Sequence, residues 1–362
     1  MYTLAIKKSA NNGGFDMITI LKGVGLLLLT LAVFSVFSMK APKGSDAMSG
    51  MANAAIASFL VEAVHKYILG DVLALEFFQI LGTTSGGMGG VAAAITVPLA
   101  MGVNPVFAVT AGLALGGYGI LPGFIAGYLV GLIAPVLEKK LPEGLNVIFG
   151  ALVIAPLARI LAITVNPAVN MILGEIGSAI SAAAEQSPLV MGFLLGGIMK
   201  MICTSPLSSM ALTAMLGLTG LPMGIAAIAC VGGSFTNGII FHKLGFGNKG
   251  NVIAVMLEPL TQANIITANP IPIFSSNFLG GGLAGVAAAV FGIVNNAPGT
   301  ASPIPGLLAP FAFNEPLNVI LALGFAVLGG SLAGILGGWI FGKQPKEIKV
   351  STHVKHPDVQ VA

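Results

Sequence analysis

Glu315 follows Phe311-Ala312-Phe313 and precedes Pro316 and a long apolar run, so its carboxylate lies in apolar surroundings, where an ionised group is costly unless paired. Proline suits the first position of a helix, which puts Asn314 and Glu315 at a helix N-terminus, where the dipole favours negative charge. A carboxylate fixed there can accept two hydroxyl protons at once, the pattern a neutral sugar presents. The alternative is a capping glutamate without a ligand. Glu258 repeats the Glu-Pro-Leu context among Val255, Met256 and Leu257 and reads as either site or cap. His242 closes a long apolar segment and can bond a hydroxyl or shuttle a proton. Its neighbour Lys243 reads as an anchor. With Asn269, which opens Asn269-Pro270-Ile271-Pro272, these make the candidate substrate-binding set: Glu315, Asn314, His242, Glu258 and Asn269.

Other chemistries lack their residues. There is no phosphate-binding Gly-x-x-x-x-Gly-Lys loop, no His-Glu-x-x-His and no Gly-x-Ser-x-Gly, so neither an ATP-driven motor domain nor a soluble catalytic constellation is expected on this chain. No metal site and no cofactor is expected. Cys203 and Cys230 lie in apolar segments without metal-ligand or redox spacing and read as buried fillers. Lys200 and Arg159, inside apolar stretches, read as structural residues that snorkel to an interface.

The elements that must position these groups follow from composition. Of 362 residues 56% are hydrophobic and 8% charged, against about 25% charged in a soluble domain. Only a bilayer tolerates so apolar an exterior, and there the backbone must satisfy itself, as helices do. Strands of a membrane barrel would alternate, but the runs 17–37 and 317–341 do not. The fold class is therefore an all-α polytopic membrane protein with about eight to ten spans plus re-entrant hairpins. Helices are predicted at 17–37, 49–69, 88–102, 105–137, 145–164, 187–203, 208–241, 278–294 and 317–341, with breaks near Gly116, Gly117 and Pro122 and near Gly217, Gly220 and Pro222.

Fifty glycines suit close helix packing. Prolines inside apolar runs remove hydrogen bonds that lipid cannot replace, so the breaks must face protein or a polar cavity. They gather in the C-terminal half, and Pro259, Pro270, Pro272 and Pro316 are the predicted hairpin and helix breaks, the pattern of discontinuous helices around a transporter's site.

The net charge of +3 is spread over short loops without aromatic interleaving, so it reports topology rather than nucleic-acid binding. Lysine clusters at Lys7/Lys8, Lys40/Lys43, Lys139/Lys140, Lys243/Lys249 and in the tail place both termini in the cytoplasm. The segments 166–186 and 295–303 carry no Lys or Arg and read as external. The apolar face of 166–186 (Val169, Ile172, Ile176, Ile180) suits a helix lying in the interface. The expected organisation is a cytoplasmic segment at 1–16, a scaffold and dimerisation domain at 17–164, an external interfacial helix at 165–186, a transport domain with hairpins at 187–342 and a disordered cytoplasmic tail at 343–362.

Several stretches resemble the membrane-embedded IIC components of the bacterial sugar phosphotransferase system. Pro122-Gly123-Phe124-Ile125-Ala126-Gly127-Tyr128, continuing through Glu138-Lys139-Lys140-Leu141-Pro142 to Ile154-Ala155-Pro156-Leu157, is similar to fructose-type IIC domains. So are Asn269-Pro270-Ile271-Pro272-Ile273, Gly280-Gly281-Gly282 and Ala297-Pro298-Gly299. Asn314-Glu315-Pro316 resembles the signature of diacetylchitobiose- and lactose-type IIC proteins, in which the Glu binds the sugar. The overall style is similar to the divergent branch that includes perfringolysin regulator-type membrane proteins. Pro298-Gly299-Thr300-Ala301 departs from the fructose-type Pro-His-Gly-Gly motif and lacks its His.

The resemblance implies an IIC-like transporter fold, a homodimer in the bacterial cytoplasmic membrane, and a permease that moves a sugar or polyol for phosphorylation by a separate cytosolic IIB protein, itself served by a IIA protein. Two other functions fit the same residues: a IIC-like sensor or regulator without phosphotransfer, and an ion-coupled secondary transporter of a small polar metabolite.

Overall fold

Proline sets where five of the helices begin: Pro105, Pro188, Pro270, Pro303 and Pro316 each open a helix, where the missing N–H has no partner to lose. The structure, a computed structural model, describes residues 17–342 except 141, 143 and 144. The segments 1–16 and 343–362 lie outside the described residues. Among the described residues there are fifteen α-helices and no strand.

The first group comprises α1 (Met17–Lys40), α2 (Gly44–Ala55), α3 (Glu76–Gly87), α4 (Gly89–Ala100), α5 (Pro105–Leu113), α6 (Ile120–Lys140) and α7 (Asn146–Ala184). The second comprises α8 (Pro188–Cys203), α9 (Ser209–Leu216), α10 (Gly220–Leu244), α11 (Lys249–Leu257), α12 (Ala263–Ala268), α13 (Pro270–Val290), α14 (Pro303–Leu308) and α15 (Pro316–Phe341). Helices pack chiefly within their own group: α4 on α6 and α2, α7 on α6 and α1, α13 on α8 and α15, α10 on α15 and α13. The tightest of these rests on glycine. A side chain at Gly196 of α8 would run into the backbone of Gly281 and Gly285 on α13, so only glycine lets these two helices meet.

Among the described residues seven helices are long and apolar enough to cross a bilayer, and eight if α3 and α4, bent by 55° at their junction, form one broken span. The chain is an all-α polytopic membrane protein. Breaks fall where glycine and proline predicted them: the 105–137 stretch divides at 114–119, and the 208–241 stretch divides between α9 and α10. Arg159 does not snorkel freely. Its Nη1 donates to the carbonyls of Ala114 and Gly116 at 3.1 and 3.0 Å, and its guanidinium lies over the Tyr118 ring, so it holds the first break together.

The structure differs from the sequence reading at 165–186. Instead of a separate helix lying in the interface, α7 runs 39 residues without interruption through Pro156 and Pro167. The face carrying Val169, Ile176 and Ile180 is buried in the core, and Gly23 of α1 sits so close to Ala179 that no side chain fits there. An apolar stripe packed against other helices has the same period as one lying on lipid headgroups. Glu175, which lacked a basic neighbour in sequence, pairs with Lys22 of α1 at 2.8 Å.

The predicted span at 49–69 is α2 followed by π-helical turns at Ile56–Leu60 and Ala63–Val72. Such widened turns recur at functional sites. Here the second of them carries Lys66 and Tyr67, with Glu62 immediately before it.

Candidate functional site

A layer of buried polar groups crosses the second helix group. Thr204 terminates α8, Asn237 sits in mid α10 and Asn277 in α13, all three buried. The Asn277 carboxamide nitrogen donates to Asn237 Oδ1 at 2.7 Å and to the Ile273 carbonyl at 2.9 Å, and Asn237 Nδ2 donates to Thr204 Oγ1 at 3.5 Å. Among the described residues Asn277 Oδ1 is buried without a partner, as is the hydroxyl of Ser276 beside it. A buried acceptor left unsatisfied costs about 1–3 kcal/mol, and an amide placed so in a native fold calls for a missing partner.

Glu258 is a further buried polar group of the second helix group. The helix α11 stops at Leu257 because Glu258 turns extended (φ −150°, ψ 101°) ahead of Pro259, and a short 3-10 turn, Pro259–Gln262, follows. Glu258 is 4% exposed; its Oε1 accepts from Leu260 N at 3.4 Å, and Oε2 has no partner among the described residues. Lys200 and Cys203 lie within electrostatic reach of it. The Thr261 hydroxyl donates to the Glu258 carbonyl at 2.7 Å, which closes the turn.

Lys200 does not reach an interface, contrary to the snorkelling expected of it. It is fully buried because its stem threads between α10 and α13 over Gly233 and Gly281, where a side chain on either glycine would collide with it. Its ammonium donates to the Cys230 carbonyl at 3.3 Å and forms no ion pair with Glu258. Cys203 and Cys230, far apart in sequence, are brought together: both are fully buried, and their thiols are within hydrogen-bonding reach of each other and of the Ser209 hydroxyl.

The remaining candidates are dispersed. Glu315 is exposed at the start of α15 and does not cap it, so the sequestered carboxylate expected there is not what the structure shows. Asn314 does the local polar work instead: its carboxamide takes the Val294 N–H at 2.9 Å and donates to the carbonyls of Val294 and Pro310, each at 2.7 Å. With those backbone groups satisfied by Asn314, nothing draws the Glu315 side chain inward. His242 is exposed in the last turn of α10 beside Lys243. Asn269 is half-buried and donates to the Ile265 carbonyl at 2.9 Å, closing α12. Pro259, Pro270 and Pro316 open their helical segments, and Pro272 sits within the first turn of α13.

A second polar feature was not singled out in the sequence. Between the helix groups lies a cavity of about 240 Å³ lined by Phe59, Glu62, Leu121, Asn166, Asn170 and Met215 among others. The Glu62 carboxylate pairs with Lys66 Nζ at 3.4 Å, and that ammonium lies 3.4 Å from the Tyr67 hydroxyl. The signal was present as an acid and a base four residues apart inside an apolar run, a spacing that faces one side of a helix.

Among the described residues no group of three or more His, Cys, Asp or Glu side chains is arranged to hold a metal ion. Residues 45–355 match the family model described as phosphotransferase system, EIIC. No curated protein and no solved structure matches the chain.

Proposed function

Because the chain belongs to the phosphotransferase system EIIC family, we propose that it is the membrane permease of such a system and that it carries a sugar or polyol on Glu258. The observation that carries this reading is the Glu258 carboxylate, buried at a helix break with one oxygen unpartnered. The unpartnered carboxyl oxygen in that position can bond a sugar hydroxyl, and Asn277 Oδ1 is another buried acceptor without a partner among the described residues. Asn237 and Thr204 orient Asn277 through the hydrogen-bond chain that crosses α10 and α8. Asn314 and Asn269 hold backbone turns in this reading rather than substrate.

Phosphorylation belongs to a separate cytosolic IIB protein. The chain has two cysteines, both buried between helices where no soluble phosphoryl donor reaches. The second helix group acts as the moving transport body and the first as the scaffold through which two copies pair. The protein resides in the bacterial cytoplasmic membrane with both termini on the cytoplasmic side, the orientation favoured by Lys7/Lys8 and by the lysine-rich C-terminal tail.

Vesicles containing the purified chain test the reading. Supplied inside with IIA, IIB and phosphoenolpyruvate, they should accumulate phosphorylated sugar, and Glu258→Gln should abolish it. Uptake without phosphoenolpyruvate that collapses with an uncoupler would replace this reading with an ion-coupled transporter. A change in gene expression on deletion, with neither uptake, would replace it with a regulator.

A further inference from the structure

We propose that the cavity between the two helix groups is a second substrate station, separate from the Glu258 site, that holds one monosaccharide-sized neutral polyol. The proposal rests on the permease reading for the chemistry of its occupant, but its residues are different ones.

The size is set by the walls. At about 240 Å³ the cavity falls just below the roughly 300–1,000 Å³ of sites that hold drug-sized ligands, so it matches a single sugar ring better than a disaccharide. Phe59 and Leu121 supply apolar surface for the C–H face of a sugar ring. Polar groups enter from two separate elements: Glu62 from the turn just before the second π-helical segment, and Asn166 and Asn170, one turn apart on α7. Neither amide has a hydrogen-bond partner among the described residues, so both are free to bond hydroxyls.

The charge pattern selects a neutral molecule. The Glu62 carboxylate is matched by Lys66, so an ionic ligand finds no net charge to compensate, whereas a hydroxyl can still bond the carboxylate oxygen. Position supplies the functional link. The cavity takes Leu207, Leu212 and Met215 from the second group and Phe59, Glu62 and Asn166 from the first, so an occupant touches both. One turn beyond Glu62, the Tyr67 ring packs on Gly299 of the second group, whose N–H donates to Thr213 Oγ1 at 3.2 Å. A sugar held there is registered at the seam along which the groups meet.

The test uses the full chain in nanodiscs, native mass spectrometry and a panel of fructose, glucose, mannose, galactose, mannitol and sorbitol, with sucrose and lactose as oversized probes. Wild type should bind two molecules of at least one monosaccharide or hexitol per chain. Glu62→Gln and the milder Asn170→Ala, at an exposed position, should each retain one and bind the second about tenfold more weakly, the loss of one hydrogen bond to a charged or amide group. Glu258→Gln should also retain one. A single bound molecule lost wholly in Glu258→Gln and indifferent to Glu62 and Asn170 overturns the second station and leaves the permease reading intact. Binding sensitive to Glu62 and Asn170 but indifferent to Glu258 keeps the station and removes the Glu258 site. Occupancy by sucrose or lactose at the Glu62 position, or no binding across the panel, overturns the station.

Discussion

Asn277 spends its carboxamide nitrogen on Asn237, at 2.7 Å, and so turns its own carbonyl oxygen into a buried acceptor with nothing to accept. Stability alone does not favour that arrangement. Replacing Asn277 with Leu, similar in volume, removes the unpartnered oxygen but leaves Asn237 Oδ1 short of a donor. The double replacement Asn237→Leu/Asn277→Leu removes both, and its Tm should equal or exceed that of wild type while sugar binding is lost. A large fall in Tm for the double variant would mark the pair as structural.

Lys200 is a buried ammonium with a single carbonyl acceptor. Lys200→Met keeps the stem that fills the notches at Gly233 and Gly281 and deletes a buried charge that has no ion pair, so Tm should rise. Thermal unfolding in detergent checks the direction, and a fall in Tm would mean that the charge is compensated.

Gly281→Ala should do the reverse. Its new methyl would meet the Gly196 carbonyl and the Lys200 stem, forcing α8 and α13 apart at a cost of about 1–3 kcal/mol. The same substitution at Gly324 of α15, where an added methyl meets nothing within 4 Å, should not lower Tm.

The Lys22–Glu175 pair joins α1 to α7, but the two side chains are 64% and 39% exposed. Glu175→Gln should therefore change stability by less than about 1 kcal/mol. A shift well beyond that would show the pair to be shielded in the assembled protein.

Cys203 and Cys230 are buried against each other, so a membrane-impermeant maleimide should label neither in the native protein and both after unfolding in detergent. Mass spectrometry reads the count directly. Native labelling of either thiol would reveal a water path reaching the Glu258 site from that side.

The span pattern was legible because charge is so scarce that lipid is the only solvent for the exterior, and because proline and glycine mark helix starts and breaks. The helix predicted to end at 164 runs on because a proline within a long packed helix, here Pro167, can lose its hydrogen bond without ending the helix when neighbouring helices hold both sides. Glu315 and Glu258 share Glu-Pro-Leu, and local sequence cannot tell them apart; their burial is decided by whether the next elements fold over the turn. Lys200 and the cysteine pair were hidden for the same reason: their partners come from helices about 30 residues away, as in the bond from Lys200 to the Cys230 carbonyl. Glu62 was legible through its spacing to Lys66, but only the packing of α7 and α9 around it makes a cavity.

The central claim is that the free oxygen of Glu258 receives a sugar hydroxyl. A structure of the full chain determined with a transported sugar bound tests it most directly. The account predicts a hydroxyl within about 3 Å of Glu258 Oε2, and no sugar at that site when the same experiment is run on Glu258→Gln. A sugar lodged beside Glu315 with Glu258 still unpartnered would contradict it.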